Sequence, residues 1–178
     1  MSELGHFVLF TRYNRWMNEK IYDCAATLPP EEIAKDRSAF FGSILGTLNH
    51  LVVTDMLWMK RMISHPASAL VREELEALEQ PTALNQILET DLAALRARRD
   101  RMDDLIARFV AGLGEKDLAT AFSYRRTNGE AQHKLLGDVL LHVFNHQTHH
   151  RGQLTTLLSQ AGKDVGVTDI LMLLPDAD

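Results

Sequence analysis

Apolar residues recur at three- and four-residue steps through four long stretches of the chain, each closed by proline or glycine. The first covers residues 4–28, with Phe7, Phe10, Met17, Ile21 and Ala25 recurring on one face, and ends at Pro29-Pro30. The second covers residues 41–63 and carries Ile44, Leu48, Leu51, Trp58, Met59 and Met62 before His65-Pro66 closes it. A polar stretch follows, with room for a short helix at residues 70–78, and then Pro81. The third stretch, residues 82–110, carries Leu84, Ile87, Leu88, Leu92, Leu95, Met102, Leu105 and Phe109, and stops at Gly112 and Gly114. Over residues 120–134 the period changes to alternation around Phe122 and Tyr124, leading to Asn128-Gly129, a strong hairpin signal. The fourth helical stretch covers residues 135–160 and ends at Gly162, followed by a short apolar tail at residues 170–174 that should pack back onto the body.

Helices of this length each span ~30–40 Å at ~1.5 Å per residue, which predicts an all-α fold: a four-helix bundle with one small β-hairpin before the last long helix. With 178 residues and no linker or repeat, the whole chain, residues 1–178, reads as one domain.

Composition narrows the function. A net charge of -5 argues against nucleic acid as a partner, since a basic footprint is missing. The run Arg96-Ala-Arg98-Arg99-Asp100-Arg101 is answered by Asp103 and Asp104, and reads as a solvated helix face laced with i, i+4 ion pairs. A single cysteine, Cys24, excludes an internal disulfide and fits a reducing compartment; its apolar neighbours suggest a buried, inert thiol. No signal peptide and no apolar run long enough to span a membrane are apparent, so the expected location is cytoplasmic.

The chemistry concentrates in His142-Val-Phe-Asn-His146-Gln-Thr-His149-His150-Arg-Gly-Gln153, which holds four of the eight histidines. Imidazoles at i, i+4 stand one above the other on a helix and can grip one ion together. At ~100° per residue, with His142 at zero, Leu136, Val139, Val143, Leu154, Leu157 and Leu158 fall between roughly 60° and 160° and define the inward stripe. On that wheel His150 lies near ~80° and His146 near ~40°, whereas His142 and His149 fall outside the stripe, at the rim or in solvent. The inward pair is therefore His146 and His150. A third ligand should come from a facing helix, with His6, His50, His65, His133 and Asp55 as candidates. His50, in the middle of the second helix, is the right kind of partner. Asp55 lies on that helix's main apolar stripe and suits a structural ion pair with Arg12 or Arg15. His6, His65 and His133, near a terminus, at a helix end and in the hairpin, read as surface residues. Position 147 is Gln, so the glutamate of the His-Glu-x-x-His peptidase motif is missing. The Glu-x-x-His pairing of di-iron bundles is missing too.

The segments Tyr13-Asn-Arg-Trp16-Met-Asn18, Phe41-Gly-Ser-Ile-Leu-Gly-Thr-Leu-Asn-His50-Leu with Asp55 and Trp58, and His142 through Leu154 closely resemble the DinB family, within the wider DinB/YfiT-like group. The resemblance runs over nearly the whole chain. It implies an up-down-down-up four-helix bundle, cytoplasmic and commonly a homodimer. It also implies a divalent metal, zinc or nickel ahead of iron, held by one histidine of the second helix and two of the fourth, here His50, His146 and His150. Three neutral imidazoles leave a coordination position open for water or substrate, the layout of a catalytic centre. Relatives in the wider group are similar to thiol-dependent transferases and isomerases. The implied activity is accordingly an S-transferase or isomerase using a low-molecular-weight thiol, or a metal-hydroxide hydrolase, acting on a small molecule. A non-catalytic metal-binding stress-response protein is the alternative. Asn14, Asn49 and Gln153 could orient ligands or be satisfied core amides. Leu141, Phe144 and Gly152 mark a candidate dimer face on the fourth helix. Binding by neutral imidazoles should weaken below ~6.5, where the free side chain takes up a proton.

Overall fold

Side-chain caps decide where the helices of this computed structural model start, and they correct two of the boundaries read from periodicity; residues 1–176 are described. Helix α1 (Glu3–Ala25) opens where the Ser2 hydroxyl accepts from the Gly5 N–H, and Pro30 occupies the first turn of the short α2 (Pro30–Ala34). Helix α3 (Ile44–Met62) starts at Ser43, whose hydroxyl accepts from the Gly46 N–H at 2.9 Å, so Phe41 lies in the preceding turn and not in the helix. A 3₁₀ turn (Pro66–Val71) leads into α4 (Arg72–Ala77). Helix α5 (Leu92–Ala111) begins at Asp91, which accepts from the Ala94 N–H at 2.8 Å.

Residues 82–90, expected to be helical, are an irregular loop. Their backbone is satisfied from outside: the Asn49 carboxamide oxygen accepts from the N–H groups of Leu88 and Glu89, and its nitrogen donates to the Glu89 carbonyl at 3.0 Å. A long-range amide takes the place of helical hydrogen bonds.

After α6 (Glu115–Leu118), strands β1 (Ala121–Arg125) and β2 (Ala131–Leu135) pair antiparallel with Ser123 opposite His133, and Gly129 supplies the positive φ of 85° that the turn needs. Helix α7 (Leu136–Gln160) then runs to Gly162. The described residues are thus mostly helical with one two-stranded ribbon, as expected. Helix α1 packs on α5 and α7, and α3 packs on the same two, with Met17, Leu48, Phe109 and Leu154 among the core residues between them. Among the described residues no helix is long and apolar enough to cross a membrane.

All four long helices also meet in one buried polar network. Arg99 of α5, 1% exposed, pairs with Asp55 of α3 at 2.8 Å and with Asp103 at 3.0 Å. Asn14 and Asn18 of α1 donate to Asp103 at 3.0–3.1 Å. Arg151 of α7 donates to the Asn14 carboxamide oxygen and lies over the Tyr13 ring. Asp55 therefore does not reach Arg12 or Arg15; Arg15 pairs at the surface with Asp104. The basic run is not uniformly solvated either: Arg96 and Arg98 make outer pairs with Asp23 and Glu89, while Arg99 turns inward where two carboxylates compensate it.

Three further expectations change. His65 is fully buried, because its Nδ1 caps the 3₁₀ turn by accepting from the Ala67 N–H while its ring meets Phe122 edge-on. Phe144 is internal, stacked against Phe7 and Phe10, whereas Leu141 is exposed. The tail turn Ile170–Leu173 does pack back against α1, as expected, though none of its residues is buried. Cys24 is half-buried, and desolvation raises its thiol pKa.

Replacing Arg99 by alanine should cost ~3–5 kcal/mol, the penalty for stranding buried partners of a broken ion pair. Arg96→Ala, at an exposed pair, should change stability by ~1 kcal/mol or less. Urea unfolding of both variants checks the contrast, and similar midpoints would contradict it.

Candidate metal centre

The histidine-rich motif is set facing α3 by the helical repeat of α7. Buried Val139, Val143, Leu154, Leu157 and Leu158 turn the same face inward and bring His146 and His150 with them. His50 looks back from α3, itself buried. One ligand nitrogen from each of His50, His146 and His150 lies within 4.8 Å of the others. The Nε2 atoms of His50 and His150 are 3.2 Å apart, and those of His150 and His146 are 3.1 Å apart. His142 and His149 are exposed, as the helical wheel placed them. Of the other candidates, Asp55 belongs to the ion network, His65 to a turn cap, and His133 to the hairpin, where it contacts the Ser123 hydroxyl.

Two of the rings have their protons placed by neighbours. His50 Nδ1 is 2.8 Å from the Leu84 carbonyl, which can only accept, so the proton is on Nδ1 and Nε2 is a bare lone pair. His150 Nδ1 is 2.8 Å from Oε1 of Gln153. The Gln153 amide is oriented in turn because its nitrogen donates toward Nε2 of His149 at 3.2 Å. His150 therefore also presents a bare Nε2 lone pair. Two acceptor nitrogens facing each other at 3.2 Å repel unless a cation lies between them. Imidazoles bound to one ion at ~2.0–2.1 Å stand ~3–3.4 Å apart for right-angled to tetrahedral arrangements, which the observed separations match.

The surroundings keep the rings neutral. Burial pulls His50 down to about 4, against a smaller upward pull from the Leu84 carbonyl. Burial, helped by the neighbouring His150 and His50 rings, pulls His146 to about 3, and burial lowers His150 as well. Proton competition therefore sets in well below the ~6.5 of a free side chain. Phe41 stacks on His50 with ring centroids 3.7 Å apart and meets His150 edge-on, walling off one side. On the other side a cavity of about 630 Å³ opens against His50 and His146. It is lined by Thr54, Trp58 and Arg61 of α3, by Val139 and His142 of α7, and by Tyr124 and Lys134 of the hairpin.

Periodicity alone missed Leu84, Phe41 and Gln153 as partners of the rings. Leu84 and Phe41 were hidden because both looked like helix positions. Gln153 was visible as an i, i+3 neighbour of His150, though its role depends on a rotamer.

A helical protein with three convergent imidazoles between two facing helices is the class these features define. The chain belongs to the DinB family, whose model matches residues 1–176. It is similar to Protein DinB of Bacillus subtilis (strain 168), at 28% identity over 158 residues, 88% of this chain and 87% of the relative. A crystal structure of a DinB-like protein from Bacillus cereus ATCC 10987 shares the fold at a TM-score of 0.59 and 20% identity, covering 89% of this chain and 94% of that one. Family membership and the histidine cluster are compatible with metal binding.

The depressed imidazole pKa values have a consequence for the metal-free chain. Between ~6.5 and about 4 the unfolded state binds protons that folded His50 and His146 refuse, so stability must fall as pH falls through that window. Denaturant midpoints of metal-free protein should drop from pH 7 to pH 5, with a shallower dependence in His146→Asn. Equal midpoints at the two pH values in the parent protein would contradict this.

Proposed function

We propose that the chain binds one divalent metal ion, zinc or nickel ahead of iron, through Nε2 of His50, His146 and His150, and uses it as a metal-dependent enzyme on a small molecule. The activity we favour is transfer or isomerisation with a low-molecular-weight thiol as cosubstrate, with hydrolysis as the neighbouring possibility. The observation that carries the metal reading is the pair of facing lone pairs on His50 and His150, each fixed by a hydrogen bond on the opposite ring nitrogen. The cavity beside them favours an enzyme over a stress-response protein whose ion only stabilises the fold, because a purely structural centre is closed on all sides.

When bound, such an ion acts as a Lewis acid that acidifies a coordinated thiol or water. The chain's own groups do the rest. The Leu84 carbonyl and the Gln153 carboxamide hold two rings in the required tautomer, which also strengthens them as donors. Phe41 keeps water from one side of His50. His142 lines the cavity with its ring centred 5.9 Å from that of His146; partial desolvation there and the nearby Arg61 lower its pKa, so it stays neutral and can accept a hydrogen bond from a bound molecule.

The pairwise packing of the four long helices supports the up-down-down-up bundle, and we carry that topology as part of the same reading. We also propose a homodimer in the cytoplasm. Exposed Leu141 and the open space over Gly152 on the outer face of α7 support a self-contact there. Light scattering at micromolar concentration should give twice the 20.1 kDa chain mass, and a monomer would refute the dimer.

Elemental analysis of the purified chain tests the centre directly. His50→Ala, His146→Ala and His150→Ala should each lose most of the metal, while His142→Ala and His149→Ala keep it. Gln153→Leu should weaken affinity ~10–100-fold by freeing the His150 ring. Stoichiometric metal in His146→Ala would overturn the assignment. Turnover of electrophiles only in the presence of added thiol separates the transferase from the hydrolase.

A further inference from the structure

The cavity beside the histidines is chemically lopsided. Its inner end holds His50 and His146, while farther along α3 and the hairpin it is lined by three cations, Arg61, Arg126 and Lys134, and by one carboxylate, Asp138. Arg126 is tied to Glu130 at 3.1 Å. Arg61 forms no ion pair among the described residues, and its guanidinium has no hydrogen-bond acceptor there. Its position is nevertheless fixed. The guanidinium carbon stands 4.5 Å from the centre of the Trp58 ring and 5.5 Å from that of Tyr124. The two rings, set at 70° to each other, form a corner that attracts the cation while offering its N–H donors no acceptor.

Arg61 is half-buried, and burial, with Arg126 adding to it, pulls its pKa below the ordinary value. A cation kept partly desolvated, unpaired and held beside two aromatic rings gains most from an oxyanion that takes up its free N–H donors. Trp58 connects this end to the histidines, since its ring also meets His142 at 4.9 Å. Positions 50 and 61 of the same helix are ~16 Å apart in backbone rise at ~1.5 Å per residue. Side chains lean toward the helix N-terminus, so the guanidinium stands closer to the imidazoles than that rise, but the Trp58 and His142 rings lie between the two ends and a ligand touching both must extend past them.

We propose that the far end of this cavity is an anion subsite, in which the unpaired guanidinium of Arg61, with Lys134 lining the same cavity, holds the terminal oxyanion of an extended small molecule whose other end meets the imidazoles. This rests on the metal-centre reading for the inner end only; the anion subsite itself needs no metal. It gives the substrate or cosubstrate a chemical class: an extended metabolite with a soft or oxygen donor at one end and a carboxylate or phosphate at the other. Asp138 on the rim disfavours a second negative charge next to α7.

Two hydroxamates of equal length test it by calorimetric titration into the zinc-loaded chain: octanohydroxamate, which ends in a methyl group, and its analogue ending in a carboxylate. The carboxylate-ended probe should bind at least tenfold tighter. That preference should vanish in Arg61→Gln and shrink in Lys134→Gln, with zinc content and octanohydroxamate affinity unchanged. Arg61→Lys, which keeps the charge and loses the fork, should restore part of it. Equal binding of the two probes to the parent chain, or a preference that survives Arg61→Gln, overturns the subsite and leaves the metal centre standing. If the chain retains no zinc, the metal reading fails separately. Octanoate against octanol on the metal-free chain then decides the subsite: binding of octanoate lost in Arg61→Gln supports it, and no difference between the two overturns it.

Discussion

Neutralising Arg99 inside the protein is the constraint on which the rest of the architecture depends. A guanidinium removed from water is tolerable only if carboxylates compensate its charge, and here the two carboxylates and the amides that steady one of them come from three helices. Asp55 arrives on α3, Asp103 on α5 itself, Asn14 and Asn18 on α1, and Arg151 completes the set from α7. Two arginines and two aspartates balance in charge. Hydrophobic burial is non-directional and would permit several rotations of each helix about its axis. The network accepts one, because its hydrogen bonds fail when a helix turns. In this way a polar centre fixes which faces of α3 and α7 meet.

The histidine centre inherits that precision. Arg151 follows His150 directly, and Gln147, buried and donating to the Leu51 carbonyl, follows His146. The two imidazoles and the two anchoring side chains therefore alternate between the cavity side and the core of one helix. Asn49 plays the matching part on α3. Next to His50, it holds the loop of residues 82–90 by three hydrogen bonds, and this loop delivers the Leu84 carbonyl to the His50 ring. Each metal-binding candidate thus has a structural neighbour in sequence that ties its helix down. Burial of the rings costs them their protonated form, which suits lone pairs intended for an ion.

Much was legible in the chain itself. Apolar periodicity located all four long helices, the Asn128-Gly129 pair located the hairpin, and the 3.6-residue repeat alone separated inward His146 and His150 from outward His142 and His149. These are local properties, set by backbone geometry within a few turns. Its mid-helix place made His50 a suitable partner, but family resemblance carried most of the weight, because helix geometry alone does not say which position of a facing helix meets His146 and His150.

What tertiary structure decided was the pairing between distant segments. Periodicity continued the third helix back to residue 82, yet Asn49, some forty positions away, satisfies that backbone as a loop. The same blindness assigned Asp55 to the first helix and left Arg99 in solvent, since a charged run on a helix gives no sign of which member turns inward. The cavity, and the cations that line it opposite the histidines, come from α3, α7 and the hairpin together. Sequence fixes the face each side chain presents on its own helix. Which face of another element it meets is settled only when burial and hydrogen-bond satisfaction are met across the whole fold at once.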